Sequence, residues 1–186
     1  MKNNFVINLF GGPGISKSTT AAGLFNILKN NKIETELVTE FAKDATYEER
    51  MNTLENQFYV TAKQHHRLWR ILNYWKRKNI KDGFIVTDSP FILGLVYLKE
   101  SKNSDKFKDF LLGEFEIFNN INILLERRKE YNPIGRNQTK EEARKIDLKI
   151  EKFLIQNKID FIKVPGDINA PKEIYEFLKN ARLIKQ

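Results

Sequence analysis

The 186-residue sequence contains no cysteine and only two histidines, His65 and His66, which are adjacent. The absence of cysteine excludes disulfide bonds and thiolate metal sites, and two histidines are too few for a zinc centre without several carboxylate ligands. Any metal that the protein uses is therefore expected to be a labile Mg²⁺ held by oxygen ligands.

Long apolar runs are also missing. No stretch of about 18 apolar residues could span a bilayer, and the opening MKNNFVINLFGG is too polar for a secretory signal. We expect a soluble, cytoplasmic protein without a membrane partner, folded as one domain over residues 1–186. Acidic residues are in the minority, and the net charge of +8 favours polyanionic partners such as nucleotides or nucleic acid, although excess lysine also promotes solubility.

Short β-rich runs alternate with longer stretches of helical periodicity. This alternation predicts an α/β fold, with a five-stranded parallel sheet covered by helices on both faces. The predicted strands are Phe5–Phe10, Glu34–Thr39, Gly83–Thr87, Ile121–Leu125 and Asp160–Val164. The predicted helices are Lys17–Lys29, one long or kinked helix over Tyr47–Lys78, one beginning at Pro90 after Ser89, Asp105–Phe118, Thr139–Asn157 with a Thr139/Glu142 capping box, and Pro171–Ala181.

The segment FGGPGISKST follows the first strand and approaches the phosphate-binding pattern G-x-x-x-x-G-K-[ST]. In this pattern backbone amides surround a polyphosphate, the lysine reaches its outer oxygens, and the hydroxyl coordinates Mg²⁺. Ser16 replaces the last glycine, but its side chain is small and we expect the loop to form. The predicted ATP-binding residues are Gly12, Pro13, Gly14, Ile15, Ser16, Lys17, Ser18 and Thr19, with Lys17 also catalytic and Ser18 a metal ligand.

Two carboxylates follow predicted strands. Glu40 comes directly after the second strand and is a candidate base for the proton of an attacking hydroxyl, with a solvated loop acid as the alternative. Asp88 ends the third strand, where it could orient Mg²⁺ through water or hold the acceptor hydroxyl, with a helix N-cap as the alternative. Lys43 and Asp44 are candidates for contact with the acceptor.

A basic segment follows the fourth strand and carries Arg127, Arg128 and Arg136, with Arg144 further on. Arginines suit phosphate oxygens, and a segment at the ligand edge of the sheet could close over ATP, so residues 127–139 are predicted to form a lid. Arg136 is the first catalytic candidate and Arg128 the second; a solvated charged face is the alternative. Aromatic residues at helical spacing, Phe58, Tyr59, Trp69 and Trp75, favour core packing, although Tyr59 or Phe91 could stack on an acceptor base.

With these segments in order, the chain resembles the P-loop kinases that include the nicotinamide riboside kinase domain of the bacterial NAD-regulating protein, and related small phage-encoded kinases and ATPases. The resemblance rests on FGGPGISKSTTAAGLF, LVTEFAKD, NQFYVTAKQHHRL, IVTDSPFILGLVY and NILLERRKEYNPIGRNQTKEEARKID, which span nearly the whole chain. It implies a nucleoside-kinase-like fold with an Arg-rich lid over 127–136, ATP with Mg²⁺, and phosphate transfer to a hydroxyl. The sequence departs from the family pattern at Ser16, and an adenylyltransferase domain is not expected.

Three functions follow from these observations. The leading one is ATP- and Mg²⁺-dependent transfer of the γ-phosphate to a hydroxyl of a free nucleoside or mononucleotide. An alternative is a DNA kinase that phosphorylates 5-hydroxymethylated pyrimidines, such as 5-hydroxymethyluracil, in phage DNA; the net charge and the cluster Lys76, Arg77 and Lys78 favour it. A second alternative is an ATPase that acts as a nucleotide-dependent switch.

Overall fold

The computed structural model describes residues 4–99, 102–128 and 139–184. In these ranges five strands form one sheet in which every neighbouring pair is parallel. The strands are β1 (Phe5–Phe10), β2 (Thr35–Val38), β3 (Phe84–Thr87), β4 (Asn119–Glu126) and β5 (Ile162–Pro165), in the order β2-β3-β1-β4-β5. The predicted five-stranded parallel sheet is therefore confirmed, with strand ends that differ by a few residues.

Helices cover both faces of this sheet. They are α1 (Lys17–Asn30), α2 (Phe41–Tyr47), α3 (Met51–Glu55), α4 (Gln57–Lys78), α5 (Gly94–Tyr97), α6 (Ser104–Glu116), α7 (Lys140–Gln156) and α8 (Ala170–Asn180). α1 and α8 pack on one face, and α4 to α7 pack on the other. Along the central strand β1, Val6 and Phe10 point to the second group of helices and Ile7 and Leu9 to the first, as period-two alternation requires.

The long or kinked helix predicted over Tyr47–Lys78 is instead divided: α2 ends at Tyr47, and the short α3 and the long α4 follow as separate helices. Glu49 adopts a left-handed conformation with φ 55°, which interrupts a helix. Asn56 then restarts it, since its side chain accepts a hydrogen bond from the Tyr59 amide at 3.1 Å and caps α4.

Gln64 of α4 fixes the position of α2 at the end of β2. Its side-chain oxygen accepts from the Phe41 amide at 2.8 Å, and its side-chain nitrogen donates to the Thr39 carbonyl at 3.2 Å. These contacts satisfy backbone groups at the turn between strand and helix. The first turn of α2 is thereby held beside the carboxyl end of the sheet.

The helix predicted to begin at Pro90 is also different. Pro90 is extended with ψ 134°, residues Phe91–Leu93 form a 3₁₀ turn, and only the short α5 follows. A β-carbon at Gly94 would lie 2.0 Å from the Thr61 hydroxyl of α4, so glycine permits this close contact.

The predicted capping box of α7 is confirmed. The Thr139 amide donates to the Glu142 carboxylate at 2.7 Å, and the Glu142 amide donates to the Thr139 hydroxyl at 3.2 Å. Across the described ranges, no helix has both the length and the apolar character that a membrane span needs.

Candidate functional site

The loop between β1 and α1 adopts the curled backbone that its glycines allow. Gly11 and Gly14 have positive φ angles of 146° and 75°. Ser16, in the position where the pattern has glycine, also lies in the left-handed region at φ 76° and ψ 16°. This conformation costs a non-glycine residue roughly 1–2 kcal/mol. The departure at Ser16 therefore leaves the loop formed, at the cost of local strain.

The functional groups of the loop lie at the N-terminus of α1. The Lys17 ammonium donates to the carbonyls of Gly11 and Gly12 at 2.7 and 2.9 Å, so it curls over the loop. Ser18 and Thr19 follow in the first turn of α1 and are exposed. Free amides and the positive end of a helix dipole favour an anion at this position.

A long-range tether holds the first half of the loop. The Gly12 amide donates to Asp147 Oδ1 at 2.8 Å, and Arg127 Nε donates to Asp147 Oδ2 at 2.7 Å. Arg127 Nη2 also donates to the Pro13 carbonyl at 2.7 Å. Arg127, expected with the lid, is therefore part of a network that joins the loop to α7.

Glycine at position 12 is required by this network, because a β-carbon there would lie 2.5 Å from Asp147 Oδ1 and 2.9 Å from the Ala143 carbonyl. The sequence analysis assigned no role to Asp147. It stands 135 residues from Gly12, and nothing in its neighbours marks it as a partner of the loop.

Glu40 and Asp88 come to the same edge of the sheet as the loop. β2, β3 and β1 are adjacent and parallel, so the residues that follow them lie at one end. Glu40 is half-buried at the start of α2, and Asp88 is 3% exposed directly after β3. The phosphate loop and both predicted carboxylates are thus brought together.

Asp88 has a feature that suits a metal site. Within the described ranges, its buried Oδ1 atom has no hydrogen-bond partner. A buried carboxylate oxygen without a partner is costly, so such an atom marks a place where a ligand, water or cation belongs. Oxygen donors from Ser18 and Asp88 fit Mg²⁺, which usually takes one or two protein ligands together with water and phosphate.

Tyr97, at the end of α5, is a residue to which the sequence analysis assigned no role. Burial raises the pKa of its hydroxyl, and the carboxylates of Glu40 and Asp147 raise that pKa further. The phenol therefore stays protonated at neutral pH and can act as a hydrogen-bond donor. No local pattern distinguishes this tyrosine from the five others in the sequence.

A cavity of about 620 Å³ opens beside the loop, between β4, β5 and α7. Arg128 and Arg144 both line it, together with Ile15 of the loop. The Arg128 side chain is 60% exposed and pairs with Glu126 at 3.3 Å. Three arginines of the predicted basic segment, Arg127, Arg128 and Arg144, thus border one cavity. Arg136 lies outside the described residues, and its role stays a prediction.

Other predicted acceptor residues are placed differently. Asp44 forms an ion pair with Arg67, and the Lys43 ammonium lies 5.8 Å from the centre of the Tyr47 ring. Neither contact involves the phosphate loop. Phe91 is 4% exposed in the core, where His65 packs against it with ring centres 5.0 Å apart.

The prediction of an aromatic core stripe on α4 holds only in part. Trp75 is 2% exposed and packs in the core, but Phe58, Tyr59 and Trp69 are 47, 41 and 47% exposed. Full burial in the core is therefore wrong for these three rings, although Phe58 contacts Phe107 of α6 with ring centres 4.4 Å apart.

These features define a P-loop nucleotide-binding protein with a kinase-like fold: the order of the sheet, the curled loop with Lys17 and Ser18, and the acids that follow the adjacent strands. A comparison with protein-family models matches residues 6–170 to the AAA domain family, and the chain belongs to that family.

Two solved structures share the fold. The first is deoxyadenosine kinase from M. mycoides with bound dATP, with a TM-score of 0.59, 18% identity, and coverage of 94% of this chain and 99% of that one. The second is NadR in complex with NAD and AMP-PNP, with a TM-score of 0.66, 12% identity, and coverage of 98% of this chain and 51% of that one. This chain therefore spans about half of NadR. A search of curated proteins gives no match. The expected kinase-like group is confirmed at the level of the fold.

Proposed function

We propose that the protein transfers the γ-phosphate of ATP to a hydroxyl of a nucleoside or mononucleotide. The observation that carries this proposal is the arrangement of three adjacent strand ends: the P-loop after β1, Asp88 after β3 and Glu40 after β2. A phosphate site bordered on one side by two carboxylates has the groups that phosphoryl transfer needs, namely charge neutralisation and a base within reach of an acceptor.

The loop binds the triphosphate in this proposal. Backbone amides of residues 14–18 contact the phosphates, and Lys17 leaves the loop carbonyls to pair with the β- and γ-phosphate oxygens. Ser18 and Asp88 would hold Mg²⁺, which supplies charge neutralisation on the phosphate oxygens. The cavity bordered by Arg128 and Arg144 adjoins the loop and takes a further part of the nucleotide.

The acceptor lies on the side of β2 and β3. Its hydroxyl oxygen forms a bond to the γ-phosphorus while the bond from that phosphorus to the β,γ-bridging oxygen breaks, and ADP leaves. Glu40 accepts the hydroxyl proton. Protonated Tyr97, whose pKa responds to the Glu40 carboxylate, donates a hydrogen bond that positions the acceptor or Glu40 itself.

The likeness to the solved structures supports a kinase-type fold. The labelled-ATP assay identifies the acceptor. The printed names describe a kinase that binds dATP and a protein that binds NAD and AMP-PNP. By analogy, nucleosides, mononucleotides and nicotinamide riboside are the first acceptors to test.

The test is transfer of label from γ-labelled ATP with Mg²⁺ into two pools. One pool contains nucleosides, mononucleotides and nicotinamide riboside, and the other contains DNA with and without 5-hydroxymethylated pyrimidines. We expect label in the small-molecule pool from the wild-type protein and none from Lys17→Ala. Label confined to the DNA would replace the proposed acceptor with a DNA base. Release of free phosphate without labelled acceptor would replace the kinase with an ATPase switch.

A further inference from the structure

α4 has an unusual charge composition for a surface helix. Its 22 residues include six lysines and arginines and no aspartate or glutamate. Three of the cations, Lys63, Arg70 and Arg77, are spaced seven residues apart and are exposed. That spacing puts them on one side of the helix, opposite the buried Leu68 and Leu72.

Among the described residues, these three cations have no ion-paired carboxylate. Within the part of the chain that the structure describes, no ion pair involves Lys63, Arg70 or Arg77. An uncompensated row of positive charge raises the local concentration of anionic partners. The row therefore differs from a surface on which opposite charges alternate and cancel.

Aromatic residues lie beside these cations, with Tyr59, His66 and Tyr74 on the same side of the helix and Trp69 at its edge. Tyr59 and Trp69 are 41 and 47% exposed, Tyr74 is 49% exposed, and His66 is also exposed. The Lys63 ammonium lies 5.3 Å from the centre of the Tyr59 ring, and the His66 and Trp69 rings stack with centres 5.8 Å apart. These contacts restrict the rings, so less ordering is needed when a ligand stacks on them.

We propose that this outer face of α4, formed by the four rings and three cations, binds single-stranded nucleic acid. Positive groups that track a phosphate backbone, interleaved with rings on which bases stack, are the recurring components of such surfaces. From Tyr59 to Arg77 the helix extends about 27 Å at ~1.5 Å per residue, enough for several nucleotides. The proposal goes beyond the proposed phosphotransfer and does not depend on it.

The N-terminal end of this face of α4 lies near the candidate site. Tyr59 packs edge-on against Phe41, with ring centres 5.8 Å apart, and Phe41 directly follows Glu40. A strand that lies along α4 would therefore end beside the carboxylate that faces the acceptor side of the P-loop.

Two other occupants fit the face less well. A membrane surface requires a broad apolar face, and the apolar side of α4 is already packed in the core. A second copy of the chain, placed symmetrically on this face, would bring cations against cations. A nucleic acid strand offers phosphates to the cations and bases that stack on the rings.

Tryptophan fluorescence gives a direct test, because Trp69 is exposed and the other tryptophan, Trp75, is 2% exposed. Oligothymidylate and oligouridylate of about 15 nucleotides are titrated separately into the full chain, with saturating ATP and Mg²⁺ present throughout. We expect saturable quenching that Trp69→Phe removes, while fluorescence anisotropy of a labelled oligonucleotide still reports binding to that variant. Comparison of the two oligonucleotides distinguishes DNA from RNA as the preferred strand.

The charge contribution is tested with a triple variant, Lys63→Gln, Arg70→Gln and Arg77→Gln. The matched control removes three exposed lysines elsewhere, Lys152→Gln, Lys158→Gln and Lys172→Gln, and has the same net charge. Three phosphate contacts to a single strand give a salt slope of about −2, so raising salt from about 50 to about 200 mM should weaken wild-type binding roughly 20-fold. We expect the α4 variant to lose binding and most of this slope, and the control variant to keep both.

Several results would overturn the proposal. One is the absence of oligonucleotide binding at low salt, and another is an equal loss of binding in both triple variants. Much tighter oligonucleotide binding when the titration is repeated without ATP would place the oligonucleotide on the P-loop instead. A change of oligomeric state in the α4 variant, with no oligonucleotide bound by the wild type, would assign the face to self-association. Failure of phosphotransfer alone would leave the inference standing, because no step of this test requires catalysis.

Discussion

Substitution of Asp147 by alanine tests whether the network between α7 and the P-loop contributes to both stability and nucleotide binding. The carboxylate accepts hydrogen bonds from the Gly12 amide at 2.8 Å and from Arg127 Nε at 2.7 Å. The Arg127 and Asp147 side chains are only 12 and 22% exposed. Asp147→Ala therefore leaves a largely buried guanidinium without its carboxylate and a loop amide without its acceptor.

The size of the effect follows from this burial. Removing one member of a buried ion pair costs about 3–5 kcal/mol. Asp147 is partly exposed and Arg127 keeps its hydrogen bond to the Pro13 carbonyl, so we take about half of that range, ~2 kcal/mol. For a chain of 186 residues, each kcal/mol lowers the melting temperature by roughly 2–4 °C, which gives a decrease of about 4–8 °C.

ATP binding should weaken as well, because a loop that is no longer held must be ordered when the nucleotide binds. If ordering takes ~1.4 kcal/mol, the dissociation constant for ATP rises about tenfold. The assays are thermal unfolding followed by circular dichroism and calorimetric titration with ATP and Mg²⁺. The matched control is Glu141→Ala, in the first turn of α7, which removes an exposed carboxylate that does not line the cavity and should change both quantities much less.

A double-mutant cycle with Arg127→Met measures the interaction free energy between Asp147 and Arg127. If the two residues act as one unit, the double variant should be no less stable than Asp147→Ala alone. A melting temperature within about 2 °C of the wild type for Asp147→Ala, with unchanged ATP affinity, would refute the tether.

Four further predictions concern single residues. Lys17→Ala should abolish phosphoryl transfer while cooperative unfolding is retained; measurable turnover in the labelled-ATP assay would contradict the assignment of Lys17 to the phosphates. Glu40→Gln should lower kcat by about 10²-fold or more with little change in ATP affinity; if it keeps near-normal kcat and Asp88→Asn does not, Asp88 is the base. Ser16→Gly should relieve left-handed backbone strain of about 1–2 kcal/mol, offset by roughly 0.4–1 kcal/mol from the larger entropy of the unfolded chain. The free energy of unfolding, measured with urea, should therefore rise by about 0.5–1 kcal/mol. An equal rise in Ser16→Ala would argue against strain at Ser16. Burial lowers the pKa of His65 from its usual 6.5, although nearby Glu114 opposes the shift. The unfolded chain therefore binds the proton more readily, and the free energy of unfolding should fall as the pH drops below 6.5. His65→Gln should flatten this pH dependence, and an equal effect of His66→Gln would refute the assignment to His65.

The strands and the phosphate loop could be predicted because their signals are local. Apolar runs such as Phe5–Phe10 and Gly83–Thr87 are buried on both faces whatever their neighbours, and the loop motif lies in one contiguous segment. Glu40 and Asp88 could be assigned to the ligand edge because the ends of parallel strands meet there.

The helix between Tyr47 and Lys78 could not be divided from periodicity alone. Its apolar spacing continues through the breaks, which depend on the conformation of Glu49 and on the cap that Asn56 gives to α4. The exposure of Trp69 was also missed, since periodicity places a ring on a side of the helix without showing whether another element covers that side.

The sequence by itself determined the parallel α/β architecture, the P-loop and the two acids at its edge, because these depend on residues close together along the chain. Tertiary structure decided the partner of Gly12 and the position of Arg127 beside α7. These contacts join groups up to 135 residues apart. Their energies arise from geometry and burial that exist only once the sheet and its helices have packed.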